Sequence, residues 1–358
     1  MLRPTLNELR TGRRKAISSE ELITAGGLVP GATLPLLVRP VTPGLSLAVW
    51  AAHNRGWIEQ RLDKHGAVLF RDFLIEDVGE FEWLVNSIST EMLEYQERSS
   101  PRSPVSGRIY TSTEYAASQS IFLHNENSYQ LNWPMRIFFY CVQPAARGGE
   151  TPLADTRRVF ERLRPETRGR FARKQIKYVR NFGADFGLRW PFVFQTTDKE
   201  VVEQYCRRNE IKYEWRDGDR LRTESVRPGI VRHPRTGEWS WFNHAAFFHA
   251  STLEPMIRHA LLSELGVDNL PNNTYYGDGS EIEPEVLDEI RAAYGHERVC
   301  FPWQQGDVLM VDNLAVAHSR TPYTGARKVV VAMADPFNWK DAQAALKTDS
   351  ASGSLSHD

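Results

Sequence analysis

The chain has 358 residues, and its 41% hydrophobic and 11% aromatic content is enough for an ordered globular core. Its 44 basic and 45 acidic side chains nearly cancel, so no single-sign field favours nucleic acid or an anionic membrane surface. No apolar run approaches the ~20 residues needed to cross a bilayer, and the basic N-terminus lacks the apolar segment of a signal peptide. Cys141, Cys206 and Cys300 lie far apart without CxxC spacing. That pattern fits a reducing cytoplasm and excludes a disulfide framework or a zinc site built from cysteines.

Residues 1–45 read as a loosely structured lead-in, because Pro30, Pro35, Pro40 and Pro43 interrupt any long element and Gly26-Gly27 marks a turn. Apolar spacing over 47–62 predicts a helix ending near Gly66, and Ala67-Val68-Leu69-Phe70 a short buried strand. Asp77 and Glu80 have capping-box spacing before an amphipathic run to Met92. A loop over 95–106 precedes strands at 108–115, 120–126 and 135–142. A helix over 156–174, interrupted near Pro165, follows the Gly148-Gly149 turn. Further helices are expected at 198–209, 251–265 and 284–294, and short strands at 230–233 and 239–243. The last strands are 307–312 and 328–334, with His318 and Arg327 in the connection between them. Short strands with turn signals and helical decoration suggest a jelly roll with helical insertions. The expected organisation is one domain over 46–342 and a flexible tail over 343–358.

The chemistry concentrates at Ile121-Phe122-Leu123-His124-Asn125-Glu126. On an extended strand, residues two apart share a face, so His124 and Glu126 would point the same way. An imidazole and a carboxylate form two thirds of the two-histidine, one-carboxylate set that holds non-haem iron(II). The apolar strand would carry Glu126 to the edge of a core, where a carboxylate needs either a cation or a positive side chain. For the third ligand, His318 leaves the apolar strand Val308-Leu309-Met310-Val311-Asp312-Asn313 and is followed by Arg327. His244 and His249, among aromatics, are its rivals. Asp312 and Asn313 are near enough to orient the second imidazole nitrogen of His318.

Together, His124-Asn125-Glu126, Gly148-Gly149-Glu150-Thr151 and Asp312-Asn313 with His318 and Arg327 resemble the TauD/TfdA family of Fe(II)- and 2-oxoglutarate-dependent dioxygenases. The resemblance runs from about Ala67 to Pro336. Tyr110-Thr111-Ser112-Thr113-Glu114-Tyr115 and the His-Asn-Glu-x-Ser-Tyr pattern resemble its SyrP-like branch, whose members hydroxylate amino acids or amino-acid units in natural-product pathways. The resemblance implies a mainly β fold with α insertions: a double-stranded β-helix (jelly-roll, cupin-like) core flanked by helices. It implies iron(II) on His124, Glu126 and His318, with Arg327 receiving the distal carboxylate of 2-oxoglutarate and Thr151 hydrogen-bonding the same cosubstrate. Lys328 and Arg320 are fallback anchors. O2 would be the oxidant. Many family members carry aspartate where this chain has Glu126, and halogenating members lack the carboxylate, so Glu126 argues against halogenation.

The implied activity is hydroxylation of an unactivated C–H bond in an amino-acid-like small molecule, free or tethered to a carrier protein. Arg98 and Arg102 could receive a substrate carboxylate, Glu114 an ammonium or guanidinium, and Asn127, Tyr129 and Asn243 could line the cavity. The arginine-rich run Arg157, Arg158, Arg162, Arg164, Arg168, Arg170 and Arg173 reads first as a solvated helix face and second as a dock for an acidic carrier. Two other functions fit the same residues: a zinc-dependent hydrolase, and a non-catalytic small-molecule-binding barrel.

Overall fold

The strand Ala67–Phe70 forms as expected, and its alternation divides the molecule into layers. In the computed structural model, which describes residues 20–183, 187–340 and 342, Val68 and Phe70 face a helical layer. Ala67 and Leu69 face a second sheet. The same parity holds in the long strand Asn132–Gln143: Phe138 and Tyr140 turn to the helices, Ile137, Phe139 and Cys141 to the other side. Both faces of these strands are buried, which is why they read as continuous apolar runs.

The main sheet has eight strands among the described residues. In spatial order they are Ile23–Gly27, Leu36–Pro40, Ala67–Phe70, Val308–Asp312, Asn132–Gln143, Lys328–Asn338, Ile109–Thr111 and Pro104–Ser106. A four-stranded sheet lies opposite, in the order Arg298–Val299, Leu153–Asp155, Val316–Arg320 and Ile121–His124. Leu153 and Val316 from this sheet pack against Leu309, Val311 and Val331 from the main one. The two sheets and their crossed strand order form the double-stranded β-helix. Helices Leu47–His53, Arg55–His65 and Val78–Ile88 supply the core on the outer face of the main sheet. A third sheet, Lys212–Arg216, Arg220–Arg227, Ile176–Phe182 and Asn272–Tyr276, lies within the long insertion.

Three differences from the sequence reading have physical causes. The lead-in over 1–45 contributes two strands in its described part, because Leu36 and Val38 alternate into the core and Pro40 falls at a strand end. The helix expected over 47–62 is two helices, because Asn54 donates its side-chain Nδ2 to Trp50 O at 2.7 Å and turns the chain. His318 is not in an irregular connection: Val316–Arg320 is a strand paired on both sides. Gly66, at φ 73°, closes the second helix and lies against that strand; a Cβ there would sit 2.5 Å from Val316 Cγ2. The helix expected from 251 begins at Pro255, and Ser251 does not cap it. The expected tail over 343–358 lies outside the described residues.

Candidate metal centre and active site

Strand pairing builds the site. Val316–Arg320 runs antiparallel to Ile121–His124 with His318 directly opposite His124, and the two imidazole centroids are 4.5 Å apart. Glu126 arrives differently from the sequence expectation. The strand ends at His124, and Glu126 begins a turn whose next residue, Asn127, takes the left-handed conformation at φ 58°. One side chain from across the molecule holds this turn. Asn313 accepts from Glu126 N at 2.7 Å through Oδ1 and donates through Nδ2 to Glu126 O at 2.9 Å and Pro134 O at 2.8 Å. Asn125 answers by donating Nδ2 to Asn313 O at 2.7 Å. Asn313 was expected to orient His318; it orients the backbone of Glu126 instead.

His124, Glu126 and His318 are all buried, and their ligand atoms lie within 4.8 Å of one another. Burial, helped by the Arg102 charge and opposed by the Glu126 carboxylate, sets His124 below its ordinary pKa; burial with His124, Arg102 and His244 drives His318 well below it. Both imidazoles are therefore neutral near pH 7 and keep a lone pair. His124 gives Nδ1–H to Phe122 O at 2.8 Å, which leaves Nε2 as the donor atom. His318 Nε2 is 3.7 Å from Glu126 Oε2. The carboxylate also meets a positive side chain: Arg102 Nη2 donates to Glu126 Oε2 at 2.6 Å, with both side chains buried. Two neutral imidazoles and a carboxylate facing one point match the donor set preferred by non-haem iron(II).

Beside this triad lies a small cavity bordered by Arg102, Ser112, Thr151, His318 and Arg327. Arg327 donates Nε to Gly149 O at 2.8 Å and Nη1 to Ser112 Oγ at 3.0 Å. It forms no ion pair with a carboxylate among the described residues. Partial burial and the Arg320 charge lower its pKa to about 10, so it remains a half-buried cation near neutrality. Gly149, at φ 72°, lets it approach: a Cβ there would be 2.9 Å from Arg327 Cδ. Thr151 is buried, and its Oγ1 accepts from Trp303 Nε1 at 3.1 Å, so its hydroxyl proton is free to donate elsewhere. Of the fallback anchors, Arg320 also borders this cavity. Arg320 spends its guanidinium on the carbonyls of Thr113, Tyr115, Ala116 and Gln119, and Lys328 is exposed.

A larger cavity of about 310 Å³ opens over His124 and Arg102. Phe122, Phe247 and Phe248 give it an apolar wall, and Ser100, Thr113 and Tyr115 supply hydroxyls. Arg102 Nε and Nη1 are buried there without a hydrogen-bond partner. The other substrate candidates are placed differently. Glu114 is exposed and accepts from Ser103 and Thr111 hydroxyls. Asn127 lies on the far side of the ligand turn, in a separate surface pocket. Tyr129 is packed against Tyr178 and Phe248 with its hydroxyl donated to Glu97 O. Asn243 is consumed by Gly229 O and Ala245 N. Arg98 points to Gln195.

The rival histidines lie near the three clustered side chains without joining them. His244 is hydrogen-bonded to Ser128 Oγ and stands edge-on to His124, with centroids 5.5 Å apart. His249 lines the larger cavity, where burial lowers its pKa to about 4. A second cluster, Asp63, His233 and Asp312, already contains its own cation. Arg235 pairs with Asp63 at 2.6 Å, and His233 Nδ1 accepts from two backbone amides while Nε2 bonds Asp312 at 2.9 Å. The arginine-rich helices are partly neutralised by the helix Pro284–Glu297 and the Glu283 before it, through Arg162–Glu297, Arg164–Glu289 and Arg170–Glu283 pairs. Missed in the sequence were Trp303 behind Thr151 and the Asn313 lock; neither has a local signal.

Residues 37–333 match the family described as taurine catabolism dioxygenase TauD, TfdA family. The chain belongs to the TauD/TfdA family. It is 44% identical over 309 residues to the dapdiamide synthesis protein DdaC of Enterobacter agglomerans, covering 86% of this chain and 93% of that one. A clavaminate synthase-like protein of Arabidopsis thaliana is 29% identical, covering 85% and 91%. The PvcB protein of Pseudomonas aeruginosa shares the fold at a TM-score of 0.53 and 16% identity, over 90% of this chain and 95% of that one. As a TauD/TfdA member the chain is an iron(II)- and 2-oxoglutarate-dependent dioxygenase, with O2 as co-substrate. No helix among the described residues is long and apolar enough to cross a membrane.

Proposed function

We propose that this dioxygenase hydroxylates an unactivated C–H bond of an amino acid or amino-acid-derived substrate, free or carrier-tethered, in natural-product biosynthesis. The observation that carries the reading is a half-buried guanidinium, Arg327, without a carboxylate partner among the described residues, beside three converging side chains. His124, Glu126 and His318 would hold the metal, which when bound supplies the oxidising power that the side chains lack. Arg327 forks two donors onto the distal carboxylate of 2-oxoglutarate, and the free hydroxyl proton of Thr151 reaches the same cosubstrate. Arg102 offers Nε and Nη1 to a substrate carboxylate or carbonyl. Phe122, Phe247 and Phe248 exclude water and aim the reacting carbon at the open face of the triad. The likeness to a dapdiamide synthesis protein supports a biosynthetic setting. We assign the enzyme to the cytoplasm, in keeping with three unpaired cysteines.

The test is succinate release from 2-oxoglutarate under iron(II) and air, screened over free amino acids, their acyl derivatives and carrier-loaded forms. One of these classes should give hydroxylated product in step with succinate, and Glu126→Ala should abolish that coupling. Coupled product from Glu126→Ala at the wild-type rate would remove the ligand assignment, and coupling only with substrates lacking any amino-acid unit would remove the substrate class.

A further inference from the structure

Glu126 is the one ligand of the three with two donor atoms, and the structure treats those atoms differently. Oε2 is taken by Arg102 Nη2 at 2.6 Å, while Oε1 accepts no hydrogen bond among the described residues. Arg102 cannot easily retreat. Its side chain is 4% exposed, its guanidinium carbon sits 4.7 Å from the centre of the Tyr95 ring, and the backbone of Glu126 is locked by Asn313. A glutamate arm, one methylene longer than aspartate, has the reach to lie flat on a metal with both oxygens. That difference matters here. In a six-position metal shell, two imidazoles and one oxygen leave three positions open, whereas two imidazoles and two oxygens leave two. The chelating 2-oxo acid uses two, so the third is the one that O2 requires.

We propose that Arg102 is a positioning residue that occupies one oxygen of Glu126 and so holds it to one-oxygen ligation, keeping a third coordination position open. The inference rests on the metal reading above and concerns the resting protein before cosubstrate or substrate binds. It also explains a buried ion pair inside a ligand set. A merely compensating arginine has no need to engage the oxygen nearest His318, and a metal alone would satisfy the charge.

The experiment uses the full chain stripped of metal and reloaded with Mn(II), and reads water-proton relaxation by the bound ion. Wild type has three exchangeable positions. Arg102→Met should lose one of them, lowering the relaxation per bound Mn(II) by about one third. Arg102→Lys, which retains a charged donor, should stay near wild type. Circular dichroism checks the fold; if Arg102→Met unfolds, Arg102→Gln, with no charge and a shorter reach, replaces it and should show the same loss. Unchanged relaxation in the uncharged variant overturns this inference and leaves the metal reading standing. Wild type that binds no Mn(II) beyond the level of His124→Ala would instead overturn the metal reading itself.

Discussion

Arg327 shows how much one side chain can decide. Its aliphatic stem lies on Gly149, two of its donors are fixed by Gly149 O and Ser112 Oγ, and it retains a half-buried positive charge. A lysine would keep the charge and lose the planar fork. Arg327→Lys should therefore weaken 2-oxoglutarate binding by roughly tenfold to a hundredfold, since a charge-assisted hydrogen bond contributes roughly 1.5–3 kcal/mol. Anaerobic titration of the visible charge-transfer band checks this; an unchanged dissociation constant would send the cosubstrate carboxylate elsewhere. His249 makes a second prediction. Its pKa falls from 6.5 to about 4 because burial disfavours the charged ring and Arg291 and Arg258 repel it. The unfolded chain takes up this proton near pH 6.5 and the folded chain only near 4, so the stability linked to His249 is full above 6.5 and is lost as pH falls toward 4. In urea denaturation, His249→Asn should lose less stability than wild type between pH 7.5 and pH 5; parallel losses would mean that His249 is solvated.

At the scale of elements, catalytic geometry depends on two pairings between distant parts of the chain. The register of Val316–Arg320 against Ile121–His124 sets His318 opposite His124. A one-residue slip would turn one histidine to the opposite face of the sheet. The turn after His124 is tied to the turn after Asp312 by Asn313, with three side-chain bonds to Glu126 and Pro134. Asn313→Ala should cost about 2–4 kcal/mol, because buried partners are left unsatisfied as well as unbonded. It should also weaken metal binding, since the Glu126 backbone is released. Thermal denaturation and Mn(II) titration read the two effects separately. A loss of stability with intact metal affinity would make Asn313 a purely structural tie.

For the whole molecule, the proposed ligand set joins an early strand, a turn and a late strand across the interior of a double-stranded β-helix. Metal binding should then stabilise the fold rather than one loop. At a free metal concentration a hundred times the dissociation constant, linkage adds about 2.7 kcal/mol. Calorimetry with and without Mn(II) should show a higher Tm in wild type and no shift in His318→Ala. A shift that survived that substitution would place the binding at other residues.

Much of this was legible before any coordinates. The buried strand Ala67–Phe70, the capped helix Val78–Ile88 and the break before Pro165 follow from local spacing and local chemistry. The motif His124-Asn125-Glu126, with His318 downstream, pointed to three candidate ligand side chains, and those three do converge. The substrate side was far less legible. Glu114, Tyr129 and Asn243 have suitable chemistry near the motif, but their hydrogen bonds are spent on turns and core, and Asn127 lies in a separate pocket, while Phe247, Phe248 and His249 reach the cavity from a distant insertion. Residue types and their order determined which groups can bind a metal and a carboxylate, because that chemistry belongs to the side chain itself. Which of them share a cavity, and which oxygen of Glu126 Arg102 takes, was decided only by the tertiary structure: burial and strand register are properties of pairs of distant segments, and no local spacing encodes them.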